Sequence, residues 1–201
     1  MFMKDFTRLA TEITLVGTRL PDSVPAQVTT GIVAGTLIEA AQGWCKVESL
    51  RIGDAVQTLD GGLARILGID RRCLWPAAET ALIHVPGGSH DACSDLLLVP
   101  GQHVLIDTLD DAAIGAPFAL VPAMALTADR LVRRHFPSGP VEVITPLFAD
   151  EEVVFANSGV LLHCPGVVDG AGRLPESSFF LRLDRVAARA FLQRRAARLA
   201  A

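Results

Sequence analysis

Short apolar runs, each interrupted after a few residues by glycine, proline or aspartate, constrain the fold of this chain more than any other feature. They extend from about residue 29 to residue 166 and have the length of strands. Many short strands separated by turn signals are typical of an all-β sheet or barrel. We therefore predict an all-β domain, with a helical pattern only at 122–134. The predicted strands are 36–38, 55–59, 63–69, 81–85, 96–99, 104–106, 141–144 and 153–156.

Composition limits the classes of protein that the chain can belong to. Its 201 residues are 50% hydrophobic, with a mean hydropathy of +0.39, which excludes a wholly disordered chain. No window of about 18 residues is free of charges and of proline or glycine, so we expect no membrane span. The N-terminus carries Asp5 and Glu12 and lacks the apolar centre of a signal peptide. We therefore expect a cytoplasmic location and four reduced, mostly buried cysteines.

Charge is distributed unevenly along the chain. The formal net charge is −4, yet residues 181–201 contain six arginines and only one aspartate. The rest of the chain is therefore strongly negative, and its charge does not suit a nucleic-acid binder.

The basic tail has the pattern of an amphipathic helix, which we predict over residues 179–191, with arginines opposite an apolar face. That face carries Leu183, Val186, Ala187, Ala190 and Phe191. Two interpretations stay open from the sequence. Either the helix packs on its own domain, or it binds a protein partner or an acidic membrane surface.

Conventional cofactor and metal motifs are absent from the sequence. We find no glycine-rich phosphate loop, no H-E-x-x-H and no G-x-S-x-G. The histidines and cysteines match no structural zinc spacing, and His90 with Cys93 is the nearest pair. We therefore expect neither a cofactor nor a metal.

The most informative motif lies at residues 31–62. Gly35-Thr36 is followed, from residue 47 to residue 62, by the pattern V-x-x-L-x-x-G-D-x-V-x-T-x-D-G-G. Its physical interpretation is a strand, a turn and a second strand, then a further strand that ends in a tight Asp-Gly-Gly hairpin turn. This order resembles the opening of bacterial Hint domains, the module shared by hedgehog autoprocessing domains and inteins.

Two later segments fit the same resemblance. LLLVPGQHVLID, at 96–107, resembles the middle motif of the family, and VEVITPLFADEEVVFANSGVLLHCPG, at 141–166, resembles its closing segment. The resemblance implies a Hint-like fold of short strands at 31–166. It leaves residues 1–30 as a lead segment and residues 167–201 as a linker followed by the basic C-terminal helix.

The resemblance also implies the position of each catalytic group. In Hint domains the first residue is a cysteine or serine that attacks the preceding carbonyl, while a middle-motif histidine protonates the departing nitrogen. Here the nucleophile position is Gly31, which has no side chain, and the middle histidine is His103. His163 matches the penultimate histidine of inteins, but Cys164 stands where a terminal asparagine is needed. Pro100 replaces the hydroxyl residue three positions before His103.

Further departures lie in the closing segment, where Thr145 and Glu151 occupy positions that relatives fill with histidine or aspartate. We interpret the chain as a degenerate Hint domain that is an inactive binding or interaction module, with a protein partner possible through its C-terminal helix. One alternative is residual self-cleavage using Thr30 or Cys164 as nucleophile. Another is an unrelated β-barrel that binds a small molecule.

Overall fold

The computed structural model describes residues 30–60, 62–76, 81–167 and 179–199, which contain fifteen strands and two α-helices. The predicted all-β class is confirmed. A strand predicted near residues 13–17 and a linker at 21–25 lie outside the described residues. The strands are β1 Ile32–Val33, β2 Leu37–Ala40, β3 Gly43–Lys46, β4 Ala55–Thr58, β5 Gly62–Arg65, β6 Gly68–Leu74, β7 Leu82–Val85, β8 Leu96–Leu98, β9 His103–Asp107, β10 Phe118–Pro122, β11 Arg133–His135, β12 Val141–Leu147, β13 Glu152–Ala156, β14 Val160–Cys164 and β15 Leu181–Arg182; the helices are α1 Ala123–Leu126 and α2 Arg185–Leu199.

The described strands form two sheets. The smaller has the order β11-β7-β8-β1-β12-β6, and the larger has the order β15-β10-β9-β14-β13-β2-β4-β5, with β3 also paired to β2. Many strands alternate buried and less buried side chains, as in β14, where Val160, Leu162 and Cys164 are buried. This alternation places one face of each such strand in the core.

Strand β1 occupies the centre of the smaller sheet although it has only two residues. Ile32 pairs with Leu98 of β8 on one side and with Ile144 of β12 on the other. Gly31 immediately precedes this strand, so the ladder places it beside Thr145. The predicted nucleophile position, Gly31, therefore adjoins a residue that pairs with two neighbouring strands.

The run predicted as a single strand at 63–69 is instead two strands in different sheets. The chain leaves β5 at Ile66, which is fully buried, and the Leu67 amide donates to the Leu147 carbonyl at 2.8 Å. Strand β6 then pairs with β12 over seven residue pairs. The hydrophobic pattern does not show this break, because both strands contribute apolar side chains to a core.

The helix predicted at 122–134 is largely wrong. Helix α1 ends at Leu126, and the Asp129 carboxylate accepts a hydrogen bond from the Leu131 amide at 2.9 Å. This local side-chain bond favours a turn over further helix. The segment then continues as strand β11, which pairs with β7.

The C-terminal segment packs on the rest of the described chain. Strand β15 adds to β10 in parallel, and Asp184 caps α2 by accepting from the Ala187 amide at 2.8 Å. The predicted helix start near residue 179 is therefore wrong, because residues 181–182 are a strand. Among the described residues, no helix is both long enough and apolar enough to cross a membrane.

The buried face of the C-terminal segment matches the predicted one only in part. Leu183 and Phe191 are buried in the main core as predicted, together with Ala188 and Leu192, whereas Val186 is 78% exposed. Arg194 and Arg198 lie 2.9 Å and 3.4 Å from a carboxylate oxygen of Asp111, which is itself 5% exposed. Apolar packing and ion pairs therefore both hold the helix to the domain.

The expectation that the four cysteines are mostly buried is wrong. Cys164 is buried, Cys45 is half-buried, and Cys73 and Cys93 are exposed.

The packing of α2 predicts different costs for two truncations on the same helix. Phe191→Ala removes a side chain that is 1% exposed and should lower the free energy of unfolding by about 3–5 kcal/mol. Val186→Ala removes an exposed side chain and should change it by less than about 0.5 kcal/mol. Urea melts of the two variants measure the difference, and equal costs would show that α2 does not belong to the core.

Candidate functional site

Gly31 has a backbone conformation that side-chain-bearing residues rarely adopt, with φ at +127°. A Cβ atom built at this position would lie 2.5 Å from Val143 Cγ1 and 2.6 Å from Thr145 Oγ1. Real Cβ atoms essentially never make contacts under 3.0 Å. The volume that a nucleophilic side chain requires is therefore already filled by β12.

The buried amide of Gln102 links both ends of the region that resembles Hint domains. Its Oε1 accepts a hydrogen bond from the Gly31 amide at 3.0 Å, and its Nε2 donates to the His163 carbonyl at 2.7 Å. Nε2 also donates to the His103 carbonyl at 3.0 Å. Sequence reasoning misses Gln102, because these partners include residues 71 and 61 positions away in the chain.

The peptide bond between Thr30 and Gly31 is held at both of its polar atoms. Its carbonyl oxygen accepts from Arg72 Nη2 at 3.1 Å, and Arg72 Nε pairs with Asp70 at 2.9 Å. A cationic donor on this carbonyl would stabilise negative charge developing on the oxygen. The nitrogen, by contrast, donates to the Gln102 oxygen, which offers it no proton. Sequence reasoning misses Arg72 as well.

His103 and His163 are brought together by the pairing of β9 with β14. Val104 pairs with Leu162 in an antiparallel register. His103, which precedes Val104, is therefore the cross-strand neighbour of His163, which follows Leu162. Their ring centroids lie 6.3 Å apart with the ring planes 81° to each other. The His103 Nδ1 atom is buried and has no hydrogen-bond partner among the described residues. Burial, followed by the charges of Arg182 and His163, lowers the pKa of His103 to about 4.

Two charged side chains, Glu151 and Arg182, lie beside the imidazole ring of His163. His163 Nε2 lies 3.0 Å from Glu151 Oε2 and 3.1 Å from Arg182 Nη2, and those two side chains are 3.3 Å apart. Burial, followed by Arg182, lowers the pKa of His163 although Glu151 opposes the shift. At neutral pH both rings are therefore uncharged, and neither has the excess proton of a strong general acid.

The other predicted nucleophile, Cys164, lies at the end of β14 and is 1% exposed. Burial raises the pKa of its thiol to about 12, so the thiolate that attacks carbonyls is absent at neutral pH. Thr30 is half-buried and is held through its carbonyl rather than its hydroxyl. Within the described chain, no group of three or more histidine, cysteine, aspartate or glutamate side chains is arranged to bind a metal.

Two buried polar atoms without partners among the described residues coincide with this site. They are His103 Nδ1 and Thr145 Oγ1. Such atoms are uncommon in folded proteins and mark places where a polar network is incomplete. The candidate site therefore combines a carbonyl that is bonded to Arg72, two histidines with lowered pKa values, and a glycine at the predicted nucleophile position.

Comparison with known proteins assigns the family. The sequence model described as Hint domain matches residues 30–161, well over half of the chain. The chain therefore belongs to the Hint domain family, and the predicted resemblance is confirmed. No curated protein matches the sequence.

Solved structures with a similar fold include several inteins. A bacterial intein-like domain from Clostridium thermocellum is 17% identical, with a TM-score of 0.47 over 67% of this chain and 99% of that one. The AceL NrdHF class 3 split intein is 11% identical, with a TM-score of 0.47 over 68% and 99%. The gp41-1 intein is 9% identical, with a TM-score of 0.41 over 66% and 98%. The family assignment rests on the sequence match, since these superpositions are partial.

The contacts of Gln102 predict that this side chain stabilises the domain through its amide. Gln102→Met keeps the length of the side chain but removes its hydrogen bonds to the Gly31 amide and the His163 carbonyl. We expect it to lower the free energy of unfolding by about 2–4 kcal/mol. Gln57→Met is the matched control, because the Gln57 amide donates to the adjacent Thr58 carbonyl at 3.1 Å, and should cost about 0.5 kcal/mol. Similar costs in chemical denaturation would remove the central role assigned to Gln102.

The lowered pKa of His103 predicts acid sensitivity. Its folded value is about 4 against an ordinary 6.5, so between these values the unfolded chain binds a proton that the folded chain does not. The stability is complete above pH 6.5 and falls as the pH decreases toward 4. With allowance for partial exposure, His103→Gln should remove about 2 kcal/mol of this pH dependence.

Denaturation between pH 7.5 and pH 4.5 measures this effect. His135→Gln, which changes an exposed histidine of β11, serves as the control and should retain the wild-type pH dependence. A His103→Gln variant with an unchanged pH dependence would contradict the assignment.

Proposed function

We propose that this Hint domain does not cleave the peptide bond between Thr30 and Gly31 and serves as a non-catalytic binding module. The observation that carries the proposal is the filled volume beside Gly31. A nucleophile is absent, and Val143 and Thr145 occupy the space that its side chain would need. The glycine at position 31 and the side chains of Val143 and Thr145 that fill the space beside it both favour loss of the cleavage reaction.

The surrounding groups support the same conclusion. Cleavage requires a proton on the departing nitrogen of Gly31, yet that nitrogen donates to an amide oxygen. The two nearby histidines are neutral at neutral pH because of the lowered pKa values of His103 and His163. The Arg72 contact to the carbonyl is the one feature of the site that would favour attack, and by itself it supplies no nucleophile.

A binding role is supported by a cavity of about 800 Å³ on the described surface, between residues 88–93, β9 and α2. Ligand sites in proteins have volumes of about 300–1,000 Å³, so the cavity has the size of a small-molecule site.

The absence of self-cleavage is tested by intact mass. The purified protein should remain one species of 21.4 kDa during several days with dithiothreitol or hydroxylamine, because no thioester or ester forms for them to attack. A fragment that begins at Gly31 or at Thr30 would overturn the proposal.

Two variants identify the nucleophile if a fragment is found. A fragment that begins at Thr30 and is lost in Thr30→Ala would assign the reaction to the threonine hydroxyl, because such a hydroxyl attacks the carbonyl that precedes its own residue. A fragment that begins at Gly31 and is lost in Cys164→Ala would assign the reaction to the thiol. Because the Cys164 thiol is buried and protonated at neutral pH, we expect neither variant to differ from the parent protein.

A further inference from the structure

The cavity of about 800 Å³ is separate from the site at Gly31. Its lining is formed mainly by the loop at 88–93, residues 104–107 of β9, residues 159–161 and the C-terminal half of α2. Gly31, Gln102, His103, Thr145 and His163 are not among its lining residues. Its function is therefore independent of the chemistry of the family.

The cavity lies where the pairing between β9 and β14 stops. The ladder between these strands consists of the single pair Leu162 and Val104. Continuing the same register would pair 161 with 105, 160 with 106 and 159 with 107, and all of these residues line the cavity. The Asp107 carbonyl instead accepts from Arg195 of α2 at 2.8 Å. The sheet edge is thus left partly open beside a helix.

Two loops meet beside the cavity. The positive-φ residues other than glycine in the described chain are His90, Asp91, Asn157 and Ser158, with φ between 44° and 64°. His90 and Asp91 line the cavity, whereas Asn157 and Ser158 belong to the hairpin turn between β13 and β14. The Cys93 amide joins the two loops by donating to the Asn157 carbonyl at 3.2 Å.

Several side-chain donors at the cavity are engaged within the protein. The Ser89 hydroxyl donates at 2.8 Å to a carbonyl in its own loop, and the Cys93 thiol donates to the Ser158 carbonyl at 3.6 Å. One nitrogen of the Arg195 guanidinium, Nη1, donates to the Asp107 carbonyl at 2.8 Å. The hydroxyl and the thiol are therefore already used inside the protein.

The charge at the cavity is negative. Asp91, Asp107 and Asp129 all line it, against the single guanidinium of Arg195. His90 lies 3.1 Å from the Asp129 carboxylate, and burial lowers the pKa of His90, so its ring is neutral at neutral pH. A ligand that brings positive charge and N–H donors would complement these carboxylates.

We propose that the cavity binds an amphipathic organic cation. Its aliphatic part would contact the apolar wall formed by Val104, Ile106, Leu161 and Leu192, and its ammonium or amidinium group would pair with Asp91 and Asp129. This inference deepens the proposed binding role by naming the class of ligand.

The probe that tests this site is decylammonium, used below its micellar concentration, with decyl sulfate of equal chain length as the counterpart. Isothermal titration of the full chain should show binding of decylammonium that is at least about tenfold tighter than that of decyl sulfate. The Asp91→Asn/Asp129→Asn double variant should weaken the decylammonium affinity about tenfold. Asp110→Asn, an exposed residue outside the lining, should leave it unchanged.

Two tryptophan substitutions at adjacent positions of α2 test whether the probe binds in the cavity. Ala196 and Ala197 are neighbouring exposed residues of α2, and only Ala196 lines the cavity. Ala196→Trp should therefore weaken decylammonium binding by at least about tenfold, whereas Ala197→Trp should not. Near-ultraviolet circular dichroism establishes that both variants fold.

Each other outcome overturns the inference. Equal affinities for the two probes would show an apolar site without charge selection. Equal effects of the two tryptophans would place the binding elsewhere, and no binding of decylammonium would remove the site. Intact mass of the same samples reports on cleavage separately, so failure of the ligand class is distinguishable from failure of the proposed loss of catalysis.

Discussion

The Gln102 side chain provides the hydrogen bonds on which the arrangement of the site depends. It is 1% exposed and joins the amide that precedes β1 to the carbonyl of His163 in β14. An amide side chain can accept at one atom and donate at the other, which a carboxylate or an imidazolium cannot do in this geometry. The two ends of the Hint region are therefore held together without charge. In this arrangement the Gly31 amide donates its hydrogen bond to the Gln102 Oε1 atom.

The C-terminal segment, β15 and α2, contributes Arg182 to the candidate site around His163. Arg182 of β15 contacts both Glu151 and His163, and the arginines of α2 pair with Asp111. The match to the Hint family ends at residue 161, so these contacts come from a part of the chain beyond the family pattern. The tail thus neutralises a buried carboxylate beside the histidine pair, and it helps to keep both rings uncharged.

The hydrophobic pattern and short motifs of the sequence predict those features of the fold that depend on residues close together in the chain. Strand-length apolar runs were sufficient to predict the all-β class, and the motif around Gly35-Thr36 was sufficient to predict the family. The role of Gly31 as the nucleophile position stays a prediction. The break at Ile66, strand β15 and the contacts of Gln102 and Arg72 depend on partners far away in the sequence. A glutamine and an arginine have no periodicity that marks them. The overlap at Gly31 is visible only when Val143 and Thr145 are placed beside it.

We propose that packing by β12, and not only the missing side chain, closes position 31 to a nucleophile. Gly31→Ala and Gly35→Ala test this most directly, because both glycines have positive φ, at 127° and 91°, but of the two only an added Cβ at Gly31 meets other atoms within 4 Å. Comparing the two costs in the free energy of unfolding separates steric overlap from backbone conformation. We expect Gly31→Ala to cost about 1–3 kcal/mol more than Gly35→Ala. Equal costs would contradict the proposal, because the space beside residue 31 would then be open to a side chain.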